Sequence, residues 1–360
     1  MNVLILTGRF GMGHYSAAEA VKQDVLLKEP DAKVDIIDMI DYMLPGGSSM
    51  IYESFNFMVR QCSGVYNLLN GISKQYSNVP FKGLFIKKVE DLLTTYKPDL
   101  VIATLPICAQ YISAYKNMKA CSIPLYTYIT DIIAHKEWIA EHTDRYFVGD
   151  ESTKQMLTSK GVLEDKIIIS GIPVKQVFKG NLVSKVKSEK KEILIMGGGL
   201  GLVQGLDDLL QGLNEKNFIH ITLIAGTNKK LVEKIKKAFP YINVIGYTEK
   251  VHTYMEKADL IITKSGGITT FEAIHCETPL YIIRPFLAQE VGNAAYIERL
   301  NMGRVIWSEK VDLISDLLEL LEDEKRLGEM QCNMRQVKEC INKNSPLTYY
   351  YSQRKEEVAC

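Results

Sequence analysis

Short unbroken apolar runs recur along the chain, and between them apolar positions return at the three-to-four-residue spacing of helices. The first series is Val3–Leu6, Val34–Ile37, Leu100–Ala103, Leu125–Ile129, Arg145–Val148 and Lys166–Ile169. A strand that is apolar at every position is covered on both faces, so this alternation predicts a parallel sheet with helices on each side. Gly171-Ile172-Pro173 closes that half. A polar, lysine-rich stretch from Gly180 to Glu192 reads as a linker. A second series follows at Ile193–Met196, Ile219–Ala225, Ile242–Ile245, Asp259–Thr263, Pro279–Ile283 and Arg304–Trp307. The pattern therefore predicts an α/β protein of two Rossmann-like, doubly wound domains, residues 1–180 and 181–345, with a ligand cleft between the carboxyl ends of their sheets. Residues 346–360 lack strand character and are expected to form a helix that packs back on the first domain.

Length agrees with this division, since 360 residues suit two domains of about 170 to 180 each. Composition narrows the class of function. The 43 basic and 43 acidic side chains cancel, which argues against a dedicated nucleic-acid binder. Seven scattered cysteines without a C-x-x-C pair indicate a reduced, cytosolic chain rather than a disulfide framework or a zinc site. No apolar run approaches the roughly 20 residues that span a bilayer, so a soluble or peripheral protein is expected.

Two junctions carry candidate chemistry. The run that ends in Ile261 and Ile262 leads through Gly266 and Gly267 into a helix with Thr269 and Thr270 at its start. Such a turn gathers unpaired N–H groups at the positive end of a helix dipole, a favourable seat for a diphosphate. Glu272 comes within about the first turn, either to accept from a ribose or to complement the dipole. The chain opens with the same device: Val3–Thr7, then GRFGMGH, with Gly8, Gly11 and Gly13 in a G-x-x-G-x-G spacing that departs from the dinucleotide-binding G-x-G-x-x-G. His14 follows directly. A histidine at a helix start is held neutral, as a general base requires, or else caps the helix.

About sixty residues separate the runs near Ile37 and Val101, too many for a simple crossover. Within Ser48 to Lys88 lie Tyr52, Phe55, Phe57, Tyr66, Tyr76, Phe81 and Phe85, with Arg60, Lys74, Lys82, Lys87 and Lys88 against Glu53. Aromatic rings with a positive excess suit an anionic membrane surface, and they equally suit an ordinary helical insertion.

Four motifs, LTGRFGMGHYSAA, YITDIIAHKEWI from Tyr128 to Ile139, IITKSGGITTFEAI from Ile261 to Ile274, and Gln289-Glu290-x-x-Asn293 after Arg284-Pro285, together resemble one family. It is the nucleotide-sugar glycosyltransferases of GT-B fold in family 28, in the group of the monogalactosyldiacylglycerol synthases and processive diacylglycerol glucosyltransferases. The lipid II GlcNAc transferase of bacteria is a more distant relative. The resemblance covers nearly the whole chain. It implies that the C-terminal domain binds a UDP-sugar, with Ser265, Gly266, Gly267 and Thr269 at the diphosphate and Glu272 at the ribose. Gln289 and Glu290, in the motif that ends in Asn293, would hold the hexose, Gly246-Tyr247 the uracil, and Gly198-Gly199 would face the donor.

The resemblance further implies a base for acceptor activation, His14, Asp131 or both. Asp131 follows an apolar strand and equally suits a helix cap. An inverting transfer needs a single base. No metal or other cofactor is implied, and the chain has no Asp-x-Asp pair. The implied activity is transfer of glucose or galactose from UDP-sugar to diacylglycerol, giving a β-glycolipid, by a cytoplasmic protein peripheral on the inner face of the cell membrane. The alternatives are another lipid-linked acceptor, a UDP-sugar epimerase of the same architecture, or a noncatalytic UDP-sugar sensor.

Overall fold

A computed structural model describes residues 1–10, 12–61, 82–180, 189–201, 203, 205–214, 216–341 and 343–359. Gly11, most of the interdomain stretch and positions 62–81 of the aromatic segment, among them Tyr66, Lys74, Tyr76 and Phe81, lie outside the described residues. By its internal contacts the chain divides into two units, Met1–Gln176 with Ile341–Cys360, and Val177–Cys340.

The first unit holds a parallel sheet of β1 (Asn2–Thr7), β2 (Lys33–Asp38), β3 (Leu100–Ala103), β4 (Leu125–Tyr128), β5 (Arg145–Val148) and β6 (Ile167–Ile169), in the order β2-β1-β3-β4-β5-β6. Strand alternation divides β1 between two cores. Val3 and Ile5 face one cluster with Val21, Val25 and Tyr128, while Leu4 and Leu6 face the other with Val89, Leu92 and Ile112. This double burial is why β1 is apolar throughout.

Helix α1 (Gly13–Lys28) covers the first face through Ala17, Ala18, Ala20, Val21 and Val25. After β2 come α2 (Met39–Met43) and α3 (Ser48–Gln61). The closing helix Pro346–Ala359 joins the same cluster: Leu347 and Tyr350 are buried with Val3 and Ile5, and the Tyr349 ring meets Phe147 edge-on at 5.6 Å.

The second unit repeats the plan with β7 (Lys191–Met196), β8 (Ile219–Ile224), β9 (Asn243–Ile245), β10 (Leu260–Thr263), β11 (Leu280–Ile283) and β12 (Gly303–Ile306), all parallel, in the order β12-β11-β10-β7-β8-β9. Its largest described core packs Ile193, Ile195, Ile221, Leu223 and Ile262 against helix residues such as Leu210, Leu317 and Leu321.

Candidate active site

From β1 the chain steps to β2, and from β3 it steps the opposite way to β4, so β1 and β3 flank the switch point where open α/β sheets bind ligands. His14 follows β1 and Thr104 follows β3. The chain enters α1 through Met12 in a left-handed conformation, φ 69°, as N-cap, which places His14 inside the first turn rather than at the cap.

Nδ1 of His14 lies 2.9 Å from the Thr104 carbonyl oxygen and 3.0 Å from the Thr130 hydroxyl. A carbonyl only accepts, so Nδ1 carries the proton and Nε2 keeps the lone pair. The Thr104 hydroxyl donates to the His14 carbonyl at 3.0 Å and accepts from the Thr7 hydroxyl at 2.8 Å. Trp138 is buried with its ring centroid 6.1 Å from the imidazole.

Burial pushes the His14 pKa below 6.5, opposed first by the Asp131 charge and then by the Thr104 carbonyl. The ring is therefore neutral at pH 7, with a carboxylate near enough to raise its basicity. Asp131 lies in a bend after β4, and the next helical element is a single 3₁₀ turn, Lys136–Trp138, that begins after His135. The helix-cap alternative for Asp131 fails for want of a helix to cap.

In the second unit the switch point falls between β7 and β10, and both glycine turns of interest sit over it. Gly266 is the N-cap of helix Gly267–Cys276 and offers no side chain, so no cap occupies the first amides. The Thr270 hydroxyl is turned inward and donates to the Gly266 carbonyl at 2.9 Å. Thr269 is the member of the pair beside the turn, its hydroxyl 3.7 Å from where a Gly266 Cβ would stand.

Glu272 is the sixth residue of this helix, half-buried in the second turn, and the first turn holds no acid. The expected first-turn placement is thus corrected, and with it the dipole-complement alternative, which acts within the first turn.

Lys264, between β10 and the turn, was given no role by the sequence. Its ammonium lies 3.4 Å from Oε1 of Glu290, a carboxylate only 5% exposed, whereas the lysine is 42% exposed. Gly198 adopts φ 67°, and a Cβ there would come within 3.3 Å of Lys264 Cε. Glycine thus leaves the lysine its path across the switch point.

Glu290 and Asn293 sit in helix Ala288–Arg299, which is tied to the turn twice: Ser265 Oγ donates to the Glu290 carbonyl at 2.7 Å, and Asn293 Nδ2 donates to the Ser265 carbonyl at 2.9 Å. Ser265 and Asn293 are fully buried, so they brace the turn from beneath. Gln289, half-buried, is their neighbour on the same helix.

Three further loops meet along the carboxyl edge of β7, β8 and β9. A Cβ on Gly226 would stand 2.5 Å from the Gly199 carbonyl oxygen, and one on Gly246 would stand 3.8 Å from the Gly226 carbonyl oxygen. Thr227 donates to Gly199 through its amide at 3.1 Å and its hydroxyl at 2.9 Å. The structure thus brings the Gly246 loop beside the Gly199 turn, with Tyr247 64% exposed. Gly226, Thr227, Thr104, Thr130 and Lys264 were missed because their partners come from elements distant in sequence. Only the glycine at the end of an apolar run hinted at Gly226.

Among the described residues, no cluster of three or more His, Cys, Asp or Glu side chains is arranged to hold a metal ion. Among them also, no helix is long and apolar enough to cross a membrane.

Comparison with known proteins agrees along the chain. Residues 14–174 match the monogalactosyldiacylglycerol (MGDG) synthase family, and residues 192–343 match the glycosyltransferase family 28 C-terminal domain. The processive diacylglycerol beta-glucosyltransferase of Staphylococcus carnosus is 30% identical, covering 93% of this chain and 88% of that one. The enzyme of the same name from Bacillus licheniformis is 28% identical over 93% of this chain and 91% of its own.

In fold, MurG of Acinetobacter baumannii aligns with a TM-score of 0.66 at 15% identity, covering 98% of this chain and 99% of that one. Anabaena Alr3699/HepE, solved in complex with UDP, aligns with a TM-score of 0.57 at 12% identity over 100% of both. The two parallel sheets, their paired switch points and these relatives place the chain in the GT-B glycosyltransferases of family 28, in the group of the monogalactosyldiacylglycerol synthases and processive diacylglycerol β-glucosyltransferases.

Proposed function

We propose that the chain transfers a hexose from a UDP-sugar, with inversion, to the free hydroxyl of diacylglycerol. The observation that carries this reading is the fixed tautomer of His14: Nδ1 is committed to the Thr104 carbonyl, which leaves Nε2 as the proton acceptor. The hydroxyl oxygen attacks the anomeric carbon as Nε2 takes its proton. The bond from that carbon to the diphosphate oxygen breaks, and UDP leaves with the electron pair. Asp131 stabilises the imidazolium that forms through its charge.

The leaving diphosphate gains negative charge as its bond breaks. The uncapped start of helix Gly267–Cys276 and the ammonium of Lys264 are the groups that meet that charge, preorganised because Glu290, Ser265 and Asn293 hold the turn in place. Glu272 and Gln289 take the ribose and the hexose, Tyr247 the uracil. The names of the relatives favour glucose over galactose as the sugar. A lipid acceptor favours a position on the inner face of the cell membrane.

The test is transfer of labelled hexose from UDP-glucose and UDP-galactose, separately, to diacylglycerol in mixed anionic vesicles. Product from UDP-glucose that disappears in His14→Ala is the expected result. UDP binding without lipid product would remove diacylglycerol as acceptor.

A further inference from the structure

The turn that presents His14 is gripped from a second direction. Tyr52, in the first half of α3, donates its hydroxyl proton to Oδ1 of Asp38 at 2.6 Å and accepts the backbone N–H of Arg9 at 3.1 Å. The Phe10 ring packs edge-on against the Tyr52 ring, centroids 4.9 Å apart. A Cβ on Gly8 would stand 3.3 Å from the Tyr52 hydroxyl and 2.9 Å from Leu105 Cδ2, so the turn is closed between α3 and the segment after β3.

Asp38 is built to hold this hydroxyl. Its side chain is 7% exposed, Oδ1 also accepts the Ile40 and Asp41 amides at 3.1 Å each, and Oδ2 faces Nε of Arg9 at 3.7 Å. Burial and the adjoining carboxylate raise the Tyr52 pKa well above its ordinary value, so the hydroxyl remains a donor at every working pH.

We propose that Tyr52 is a positioning residue for glycosyl transfer: its hydroxyl clamps Gly8, Arg9 and Phe10 so that α1 starts where His14 Nδ1 meets Thr104. The proposal rests on the transferase reading above. It makes α3, the opening of the aromatic segment, part of the support of the base. Neither the glycine turn nor the histidine motif signals it, because Tyr52 comes 38 residues after His14.

Tyr52→Phe keeps the ring and its contact with Phe10 and removes only the hydroxyl. Two measurements on the full chain test it: hydrogen exchange of the peptide containing Arg9 and Phe10, and steady-state transfer to diacylglycerol vesicles. The expected results are exchange at least about tenfold faster in that peptide and kcat about tenfold lower, with the KM for UDP-glucose within about twofold of wild type. The donor turns belong to the other unit. A general loss of structure would instead speed exchange throughout and move both constants. Unchanged exchange at Arg9, or kcat within about twofold of wild type, overturns the proposal. A wild-type chain that makes no glycolipid sinks the transferase reading, and the exchange measurement still decides whether Tyr52 holds the turn.

Discussion

Thr104 holds His14 at two points, its carbonyl oxygen 2.9 Å from Nδ1 and its hydroxyl 3.0 Å from the His14 carbonyl. The two contacts separate in a mutant. Thr104→Val removes the hydroxyl and leaves the fully buried Thr7 hydroxyl and the part-buried His14 carbonyl without it, while the carbonyl that fixes the tautomer stays. Stability should fall by about 1–3 kcal/mol, the cost of buried polar groups left unsatisfied. Activity per folded molecule should stay within a few-fold. Urea unfolding alongside specific activity checks both.

The pH dependence follows from the burial of the imidazole. Its folded pKa is below 6.5, so between that value and 6.5 the unfolded chain binds more protons than the folded one. Stability from this group is complete above pH 6.5 and is lost as pH falls through the window toward the folded pKa. The acid limb of kcat/KM should likewise lie below pH 6.5. Asp131→Asn removes the charge that raises the pKa, so the limb should move further down as kcat drops. A limb that moves up, or stays, in that variant would show that Asp131 does not act on His14 by its charge.

At the other turn, Lys264 and Glu290 are unequal partners, the ammonium partly exposed and the carboxylate buried. Lys264→Met removes the cation proposed for the diphosphate and leaves the Glu290 charge without it. UDP affinity should fall about tenfold, or about 1.4 kcal/mol. Glu290→Gln keeps the cation, and its loss of UDP affinity should be smaller. Calorimetric titration with UDP distinguishes the two, and wild-type affinity in Lys264→Met would take that lysine out of the donor site.

Much of this was legible in the chain because parallel strands covered on both faces must be apolar throughout. Val3–Leu6 anticipated Asn2–Thr7, and the run ending in Ile262 anticipated Leu260–Thr263. His14 was legible as a candidate from its glycine turn, but its tautomer was not, since Thr104 is 90 residues away and reaches it through the β1–β3 pairing. Lys264 was hidden for the same reason, its partner Glu290 being 26 residues on. Glu272 falls just beyond the first turn because the helix begins at Gly267, ahead of the threonines. Asp131 resembled a cap only while a helix was assumed to follow β4.

Gly226 offers a test of the donor edge that no charge enters. It adopts φ 58°, and a Cβ would stand 2.5 Å from the Gly199 carbonyl oxygen and 2.9 Å from that of Gly198. Alanine therefore meets backbone on a side where no rotamer change relieves it, in a conformation that costs an L-residue about 1–2 kcal/mol by itself. Gly226→Ala should lower stability by at least about 2 kcal/mol and weaken UDP binding by displacing the Gly198-Gly199 turn. Gly161→Ala is the control, since its φ of 93° is also left-handed yet nothing lies within 4 Å of the new Cβ. It should lose stability through backbone strain and keep UDP affinity.

The closing helix is the last element in sequence and one of the supports of the first strand. Leu347 and Tyr350 are buried against the cluster that holds Val3, Ile5 and Val21, and the Tyr351 hydroxyl bonds Glu29 at the end of α1. Those contacts lie on the face of β1 opposite Leu4 and Leu6, directly before the turn that carries His14. A chain cut after Ser345 uncovers the face and loses the burial of two large side chains, about 1.5–3 kcal/mol each. The loss should fall on the first unit alone. Hydrogen exchange should rise in β1 and α1 while the peptides of β7 and β10 keep their protection, and UDP should bind as before. Equal exchange in β1 with and without the helix would show that it adds nothing to the sheet. Weaker UDP binding in the cut chain would show instead that its effect reaches the second unit.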